Sequence, residues 1–399
     1  MKKKIIITSF DLAIGGVERS LIGLLNHLDY NKYDVDLMLF KHEGDFFSKL
    51  PPGPHLLAEV PQYSTFRKSI SQILKEGHYH IGASRIIAKS LSSLHGKLNN
   101  IDEPGYLTIQ YSWEITNRFL PKLNKEYDVA IGFLWPHHFV GEKVKAKKRI
   151  GWIHTDYSNI YLHKKMESRM WDKLDHVVAV SEDCSKTFLE TFPDYKGKTM
   201  VIENILSAQI IREQANLEVP EEIRSLPGKT TLLTIGRLSH AKGLDYAVKA
   251  CKELIRQGYD IKWYVVGYGP LEDELKKLIN QLNLQDRFFL LGKKVNPYPY
   301  IKACDIYVQP SRYEGKAVTI REAQILEKPV VITNFPTAKS QAQDEFDALI
   351  TPLSIEGLVN GIIRLINNED LRKNLISNIK KRDYGNEEEV EKLYQLIEA

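Results

Sequence analysis

PSRYEGKAVTIREAQILEKPVVI, Pro310 to Ile332, decides how this chain is read. The apolar run before it, Asp305–Gln309, reads as a strand, and Pro329–Thr333 reads as the next one. Between them Val318–Leu326 carries apolar residues at helical spacing. Strand, loop, helix and strand in this order make a unit of a parallel sheet. Glu314, beside Gly315, then stands at the carboxyl edge of the sheet, where open α/β sheets take their ligands. The backbone N–H groups around Gly315, Lys316 and Ala317, leading into Val318, open the helix and point at an anion. Glu322 lies one to two turns further in and reaches the same ligand from another side. Carboxylates accept hydrogen bonds from sugar and ribose hydroxyls, whereas N–H groups and cations take a diphosphate. The combination suits a nucleotide-diphosphate sugar better than free phosphate. A surface loop with two solvated glutamates is the plain alternative.

Other stretches favour the first reading. Strand Leu232–Ile235 ends in GRLSHAKG, residues 236–243. Gly236 permits close backbone approach, and Arg237 with Lys242 offers a guanidinium fork and a point charge to a diphosphate. VVGYGP, Val265–Pro270, places Gly267 and Gly269 after another strand, and Lys293–Pro297 follows strand Phe288–Leu291. Near the N-terminus Gly15, Gly16, Val17 and Glu18 follow the first strand and open a helix, a weak signal alone because tight turns use glycine for steric reasons. Glu18 complements the positive end of that helix. His154, in GWIHTDY, ends the apolar run Ile150–Ile153.

Glu314, seven residues and Glu322, with GRLSHAKG upstream and the phrases CDIYVQPSRYEG and EKPVVIT on either side, resembles the retaining family-4 glycosyltransferases of GT-B fold (group 1, bacterial cell-surface glycan type). The resemblance implies two Rossmann-like, doubly wound α/β domains facing a cleft. It implies that Glu314 accepts hydrogen bonds from the donor sugar, Glu322 holds the ribose, and Arg237 and Lys242 hold the diphosphate. Residues around Val295 would contact the nucleobase, the Gly16 loop would approach the donor phosphates and acceptor, and His154 would face the sugar. Glu314, His154, Arg237 and Lys242 form the expected catalytic set. The leaving phosphate would take the acceptor's proton in a front-face attack. Lys316, Thr319 and Arg321 depart from the small or apolar residues usual after the first glutamate, which leaves the donor sugar open. No persuasive Asp-x-Asp motif lies in a suitable loop and no HExxH spacing occurs, so no metal and no cofactor is expected, the two cations standing in for a divalent ion.

The bulk properties agree with a two-domain enzyme. The chain has 399 residues, 43% apolar and 27% charged, a net charge of +4 and three scattered cysteines, Cys184, Cys251 and Cys304. That length holds two ordinary domains, the composition excludes large-scale disorder, and the charge gives no case for nucleic acid. Three cysteines without a CxxC pair suggest a reducing compartment. MKKKIIIT has an apolar run too short for a signal peptide, and no stretch approaches the roughly 18 apolar residues of a membrane span. A cytoplasmic protein is expected, with the inner face of the membrane as an option.

Short β-branched runs (Ile5–Thr8, Val35–Phe40, Val129–Phe133, Ile150–His154, Val177–Val180 and Met200–Ile202) alternate with helical patterns in the first half. The second half repeats this from Leu232–Ile235 to Ala348–Ile350. Residues 1–205 are read as an acceptor-binding domain and 206–384 as the donor domain, joined by a polar linker, Leu206–Lys229, with Pro220 and Pro227. The resemblance sends a last helix, 385–399, back to the first domain. Phe66–Leu98 breaks the alternation: Arg67, Lys68, Lys75, Arg85, Lys89 and Lys97 face a single acid, Glu76. It reads either as a basic amphipathic segment gripping a lipid-linked acceptor or an anionic membrane, or as a helical pair packed on the domain with a solvated basic face.

The expected activity is transfer of a sugar from a nucleotide-diphosphate donor, UDP-linked in the first instance. The acceptor is a hydroxyl of a surface polysaccharide, a teichoic-acid-like polymer or a lipid-linked glycan. A nucleotide-sugar epimerase of the same architecture and a catalytically silent sugar-nucleotide-binding partner are the alternatives.

Overall fold

The computed structural model describes residues 2–13, 15–101, 105–217, 221–223 and 229–399, without the Asn159 side chain. Pro220 and Pro227 of the expected linker lie outside the described residues. The chain forms two compact units, Met1–Asn204 with Glu388–Ala399, and Ile205–Glu387.

The first unit holds seven strands: β1 Lys3–Ser9, β2 Tyr33–Leu39, β3 His55–Leu56, β4 Glu126–Gly132, β5 Lys145–Ile153, β6 His176–Ala179 and β7 Thr199–Val201. They run parallel in the order β3-β2-β1-β4-β5-β6-β7. The order reverses between β1 and β4, so the Gly15–Glu18 turn leaves the sheet at its switch point. Two-residue β3, paired with Asp36 and Leu37, escapes a sequence reading because two residues carry no periodicity. The helix Glu389–Glu398 belongs to this unit. Lys3 pairs with Glu398 at 2.7 Å, Lys148 donates to the Leu396 carbonyl at 2.7 Å, and Tyr394 packs against Tyr33.

The second unit has six parallel strands: β8 Thr230–Ile235, β9 Ile261–Val266, β10 Phe288–Leu290, β11 Ile306–Gln309, β12 Val330–Thr333 and β13 Leu349–Thr351. Their order is β10-β9-β8-β11-β12-β13, with the switch between β8 and β11. Both faces are covered. Leu233, Ile235, Tyr307 and Ile332 pack into one core, while Leu232, Trp263, Val308 and Val331 pack into the other. Burial on both sides explains why these strands read as continuous apolar runs rather than as alternation.

The segment read as a linker is partly core. Ala208–Ala215 is a helix whose Ser207 cap accepts from the Ile210 N–H, and Ile211, Ala215 and Ile223 are buried in the second unit. Ala208, Ile211 and Ala215 recur at helical spacing, a pattern hidden by the polar residues between them. Among the described residues no helix is long and apolar enough to cross a membrane.

Candidate functional site

The second unit gathers its chemistry at the carboxyl ends of β8, β9 and β11, around the switch point. Three turns interlock there. The Gly236 N–H donates to Val266 O at 3.0 Å, Leu238 N to Tyr268 O at 3.0 Å, and Arg312 N to Ala241 O at 2.7 Å. Two glycines make the approach possible. Gly243 has φ +61° with Pro310 O where a Cβ would stand, at 2.0 Å. Gly267 has φ +154°, and its Cβ would lie 1.8 Å from Gly236 O. Gly267→Ala therefore combines a backbone clash with a disfavoured φ. It should lower the stability of the second unit by roughly 2–3 kcal/mol and abolish ligand-induced stabilisation, both measurable by denaturant unfolding with and without nucleotide.

Glu314 sits deep in this rim, with 8% of its side chain exposed. Lys242 Nζ lies 2.6 Å from each of its carboxylate oxygens, Ser311 Oγ donates to Oε1 at 2.5 Å, and Gln309 Nε2 donates at 3.0 Å. The Lys242 stem runs over Gly236, where it meets no side chain. Lys242 and Glu314, expected on the diphosphate and the sugar separately, instead hold each other. The reason is geometric: the β8 turn and the β11 turn are neighbours at the switch point, and two opposite charges brought that close pair. Arg237 is exposed and has no ion-pair partner among the described residues.

The helix Val318–Ile325 opens beside this pair, but not as expected. The Ala317 N–H donates to Gln341 Oε1 at 2.7 Å, so this amide is occupied by a side chain rather than left for an anion. Gln341 sits on the short helix Ala338–Gln341 and is itself held by Thr337, whose hydroxyl also donates to Glu314 O. Gly315 and Lys316 are half-buried in the loop, as is Val318 at the helix start. Glu322 is fully buried, and the Tyr298 hydroxyl donates to its Oε1 at 3.2 Å. Val295 is exposed on the turn after β10.

Four groups absent from the sequence reading complete the rim. Gln309 and Ser311 orient Glu314. Arg312 makes a two-pronged bond to Asp245, at 2.8 and 2.7 Å, and stacks 4.1 Å from the Tyr246 ring. Burial acts to raise the Asp245 pKa, but the Arg312 guanidinium outweighs it and holds the carboxyl below its ordinary range. Gln341 is the fourth. A polar glutamine closing the apolar strand IYVQ was the visible signal for Gln309, since a strand this buried keeps a polar side chain only where a partner waits.

In the first unit Gly16 is the first residue of the helix Gly16–His27, and a Cβ there would meet nothing within 4 Å. Glu18 folds back over the preceding residue: a Cβ on Gly15 would lie 2.1 Å from its carboxylate. His154 follows directly on β5 and packs against Phe133, ring centroids 4.8 Å apart, with Nε2 buried and unpartnered. Burial pushes its pKa down to about 3, against a small opposing effect of the Phe133 backbone. At neutral pH this imidazole carries no charge.

Half of the basic segment's cations are spoken for. Arg67 pairs with Asp11 at 2.8 Å, Lys68 with Glu76 at 2.8 Å, and Arg85 turns inward to Thr65 O and the Phe66 ring. Lys75, Lys89 and Lys97 of the six cations are exposed without such a partner. As a set of six the basic face does not form, because acids and the local backbone take the other three.

Residues 217–382 match the family model for glycosyl transferases group 1, which spans most of the second unit. An uncharacterized glycosyltransferase of Methanocaldococcus jannaschii is 25% identical over 258 residues, 56% of this chain and 64% of that protein. The Campylobacter jejuni N-acetylgalactosamine-N,N'-diacetylbacillosaminyl-diphospho-undecaprenol 4-alpha-N-acetylgalactosaminyltransferase is 26% identical over 226 residues, 56% of this chain and 60% of that one. The matches thus span less than two thirds of these relatives. The structure of an S. aureus TarM mutant in complex with fondaparinux, alpha-GlcNAc-glycerol and UDP aligns at TM-score 0.68, 16% identity and full coverage of both chains. The fold is the GT-B one, two Rossmann-like units each built on a parallel sheet.

Proposed function

We propose that this chain is a group 1 glycosyltransferase that moves a sugar from a UDP-linked donor, with retention and without a metal, to a hydroxyl of a glycan or lipid-linked acceptor. The observation that carries the reading is the Lys242–Glu314 pair beside the exposed Arg237, set at the β8/β11 switch point of a unit that matches this family. In this reading Glu322, buried with Tyr298, holds the ribose. The Lys242–Glu314 pair opens to the donor: the diphosphate takes over the lysine, and sugar hydroxyls donate to the freed carboxylate. As the glycosidic bond breaks, charge grows on the diphosphate, and Lys242 and Arg237 are already in place to stabilise it.

His154, uncharged at neutral pH, does not act as a proton donor. In this reading the leaving phosphate itself takes the acceptor's proton. The Campylobacter relative acts on a diphospho-undecaprenol glycan by its name, which supports a lipid-linked acceptor.

The test is a thermal-shift panel of UDP, GDP and ADP with EDTA present. A ligand at 100 times its Kd that binds only the native state stabilises by about 2.7 kcal/mol. UDP alone should raise the unfolding temperature of the second unit. A shift with none of the three would overturn the reading, and a shift that EDTA abolishes would overturn the metal-free part of it.

A further inference from the structure

The loop of Glu314 is tied at both ends to one short helix, Ala338–Gln341, and its Thr337 cap. The Thr337 hydroxyl donates to Glu314 O at 2.9 Å, and Gln341 Nε2 donates to Thr337 Oγ1 at 2.8 Å. Gln341 Oε1 in turn takes the Ala317 N–H at 2.7 Å. The bonds close a ring around residues 314–317, so whatever holds or moves Gln341 acts on Glu314 as well. Gln341 also lines a cleft of about 580 Å³ that lies wholly within the second unit. Among the described residues one hydrogen of its Nε2 has no acceptor and is left for a ligand there.

The rest of the wall is polar and held in place. Asp347, 2% exposed, accepts from the Gln343 N–H at 2.7 Å, from Arg382 Nη1 at 3.0 Å and from the Tyr384 hydroxyl at 2.9 Å. Arg382 gives its other arm to Gln343 Oε1 at 2.9 Å and stacks 4.1 Å from the Phe346 ring. Gln343 Nε2 is unused among the described residues, and Asp344 and Asp383 each give one oxygen to a backbone N–H, of Ile350 and Gly385. Arg321 and Lys339 bring two further cations, Lys339 exposed and without an ion-pair partner among the described residues. This inventory selects the ligand. Held donors beside open acceptors suit sugar hydroxyls, which serve as both, and the cations suit an anionic group on the same molecule. A bare phosphate would face Asp344 and Asp383 as well as the cations. The volume fits one or two sugar rings, since small-molecule sites run from about 300 to 1,000 Å³.

We propose that this cleft is a second binding site, one for an anionic sugar (a sugar phosphate or a uronate), and that its ligand regulates donor binding through Gln341. An occupied cleft holds Gln341 on Ala317 and pre-orders the Glu314 loop, so UDP binds more tightly, and by linkage UDP tightens the sugar. The coupling rests on the donor reading above, whereas the site itself does not.

The experiment is calorimetric titration of the full chain with glucose 6-phosphate, glucuronate, glucose and inorganic phosphate, first without UDP. At least one of the two anionic sugars should bind, about tenfold or more tightly than glucose or phosphate, because each of these lacks one half of the recognised chemistry. Which of the two binds identifies the anionic group. Lys339→Glu should weaken that binding at least about tenfold, the scale of losing a hydrogen bond to a charged group. Its unfolding temperature should not change, because Lys339 is exposed. Lys242→Ala should leave the sugar affinity unchanged, which separates the cleft from the diphosphate site. UDP should then bind the sugar-saturated protein at least about fivefold more tightly than the free protein, the lower end of ordinary couplings. Binding of neither anionic sugar, or binding that Lys242→Ala removes and Lys339→Glu spares, would overturn the site. A UDP affinity that saturating sugar leaves unchanged or weakens would overturn the regulation. UDP that binds neither with nor without the sugar would sink the donor reading and the coupling with it, while the sugar titration still decides the site.

Discussion

Lys242→Ala lowers the turnover of sugar transfer by about 10²–10³, the scale set by losing one preorganised group that stabilises transition-state charge. The substitution does two things at once. It removes the cation that meets the developing diphosphate charge, and it leaves the Glu314 carboxylate, 8% exposed, with only the neutral donors Ser311 and Gln309. Glu314→Gln keeps the size of the side chain but weakens the hold on Lys242 and the acceptance of sugar hydroxyls, so it falls in the same range. The pair is one device, and the cycle is expected to be strongly non-additive: the double variant should be little worse than the poorer single one. Arginine at position 242 should not restore activity, because a planar fork cannot follow the lysine stem over Gly236. Initial rates for the four proteins at saturating donor decide the matter. If the two losses multiply, Lys242 and Glu314 act separately and the opening of the pair is wrong.

The pairing also shows where sequence reasoning stopped. Most strands, such as β1, β8, β11 and β12, were legible because they are apolar runs buried on both faces. GRLSHAKG and the two glutamates were legible because glycine, cations and acids in a fixed order at strand ends leave few other readings. That Lys242 and Glu314 touch was not legible: they are 72 residues apart, and contact depends on β8 and β11 being neighbours, which is a property of strand order. Gln341 on the Ala317 N–H was hidden for the same reason. The helix Tyr79–Leu98 was legible as an amphipathic helix and no further: nothing local says that its small residues are the ones that pack. Periodicity gives a helix its two faces but not which one is inside.

Acidification from pH 7 to pH 5 should destabilise the first unit by up to about 4 kcal/mol through two histidines, His137 and His154. Burial pushes both imidazoles down to about 3 from an ordinary value of 6.5, and for His137 the neighbouring His138 and His154 add to the effect. His137 is 1% exposed, with the Trp171 ring 4.9 Å away and Gly151 leaving room for it on the adjacent strand. In the unfolded chain both take up a proton near pH 6.5, whereas in the folded unit they stay neutral until near pH 3. Their contribution is therefore present above pH 6.5 and is lost as pH falls toward 3. At pH 5, about 1.5 pH units below the unfolded value, each costs about 2 kcal/mol. Glu167 works the other way. Burial raises its pKa despite donors from Tyr157, Trp135, Gln110 and Trp171, so its contribution is fully present at low pH and falls as pH rises above the ordinary glutamate value. The wild-type loss is thus smaller than the histidine sum, and the informative quantity is its change on substitution. Urea unfolding at the two pH values, followed by tryptophan fluorescence, reports mainly on this unit, which holds Trp113, Trp135, Trp152 and Trp171 against Trp263 alone in the other. His137→Asn and His154→Asn should each remove about 2 kcal/mol from the pH 7-to-5 difference, whatever they cost at pH 7 itself. An unchanged difference in both variants would mean that the folded unit lets these rings take up protons.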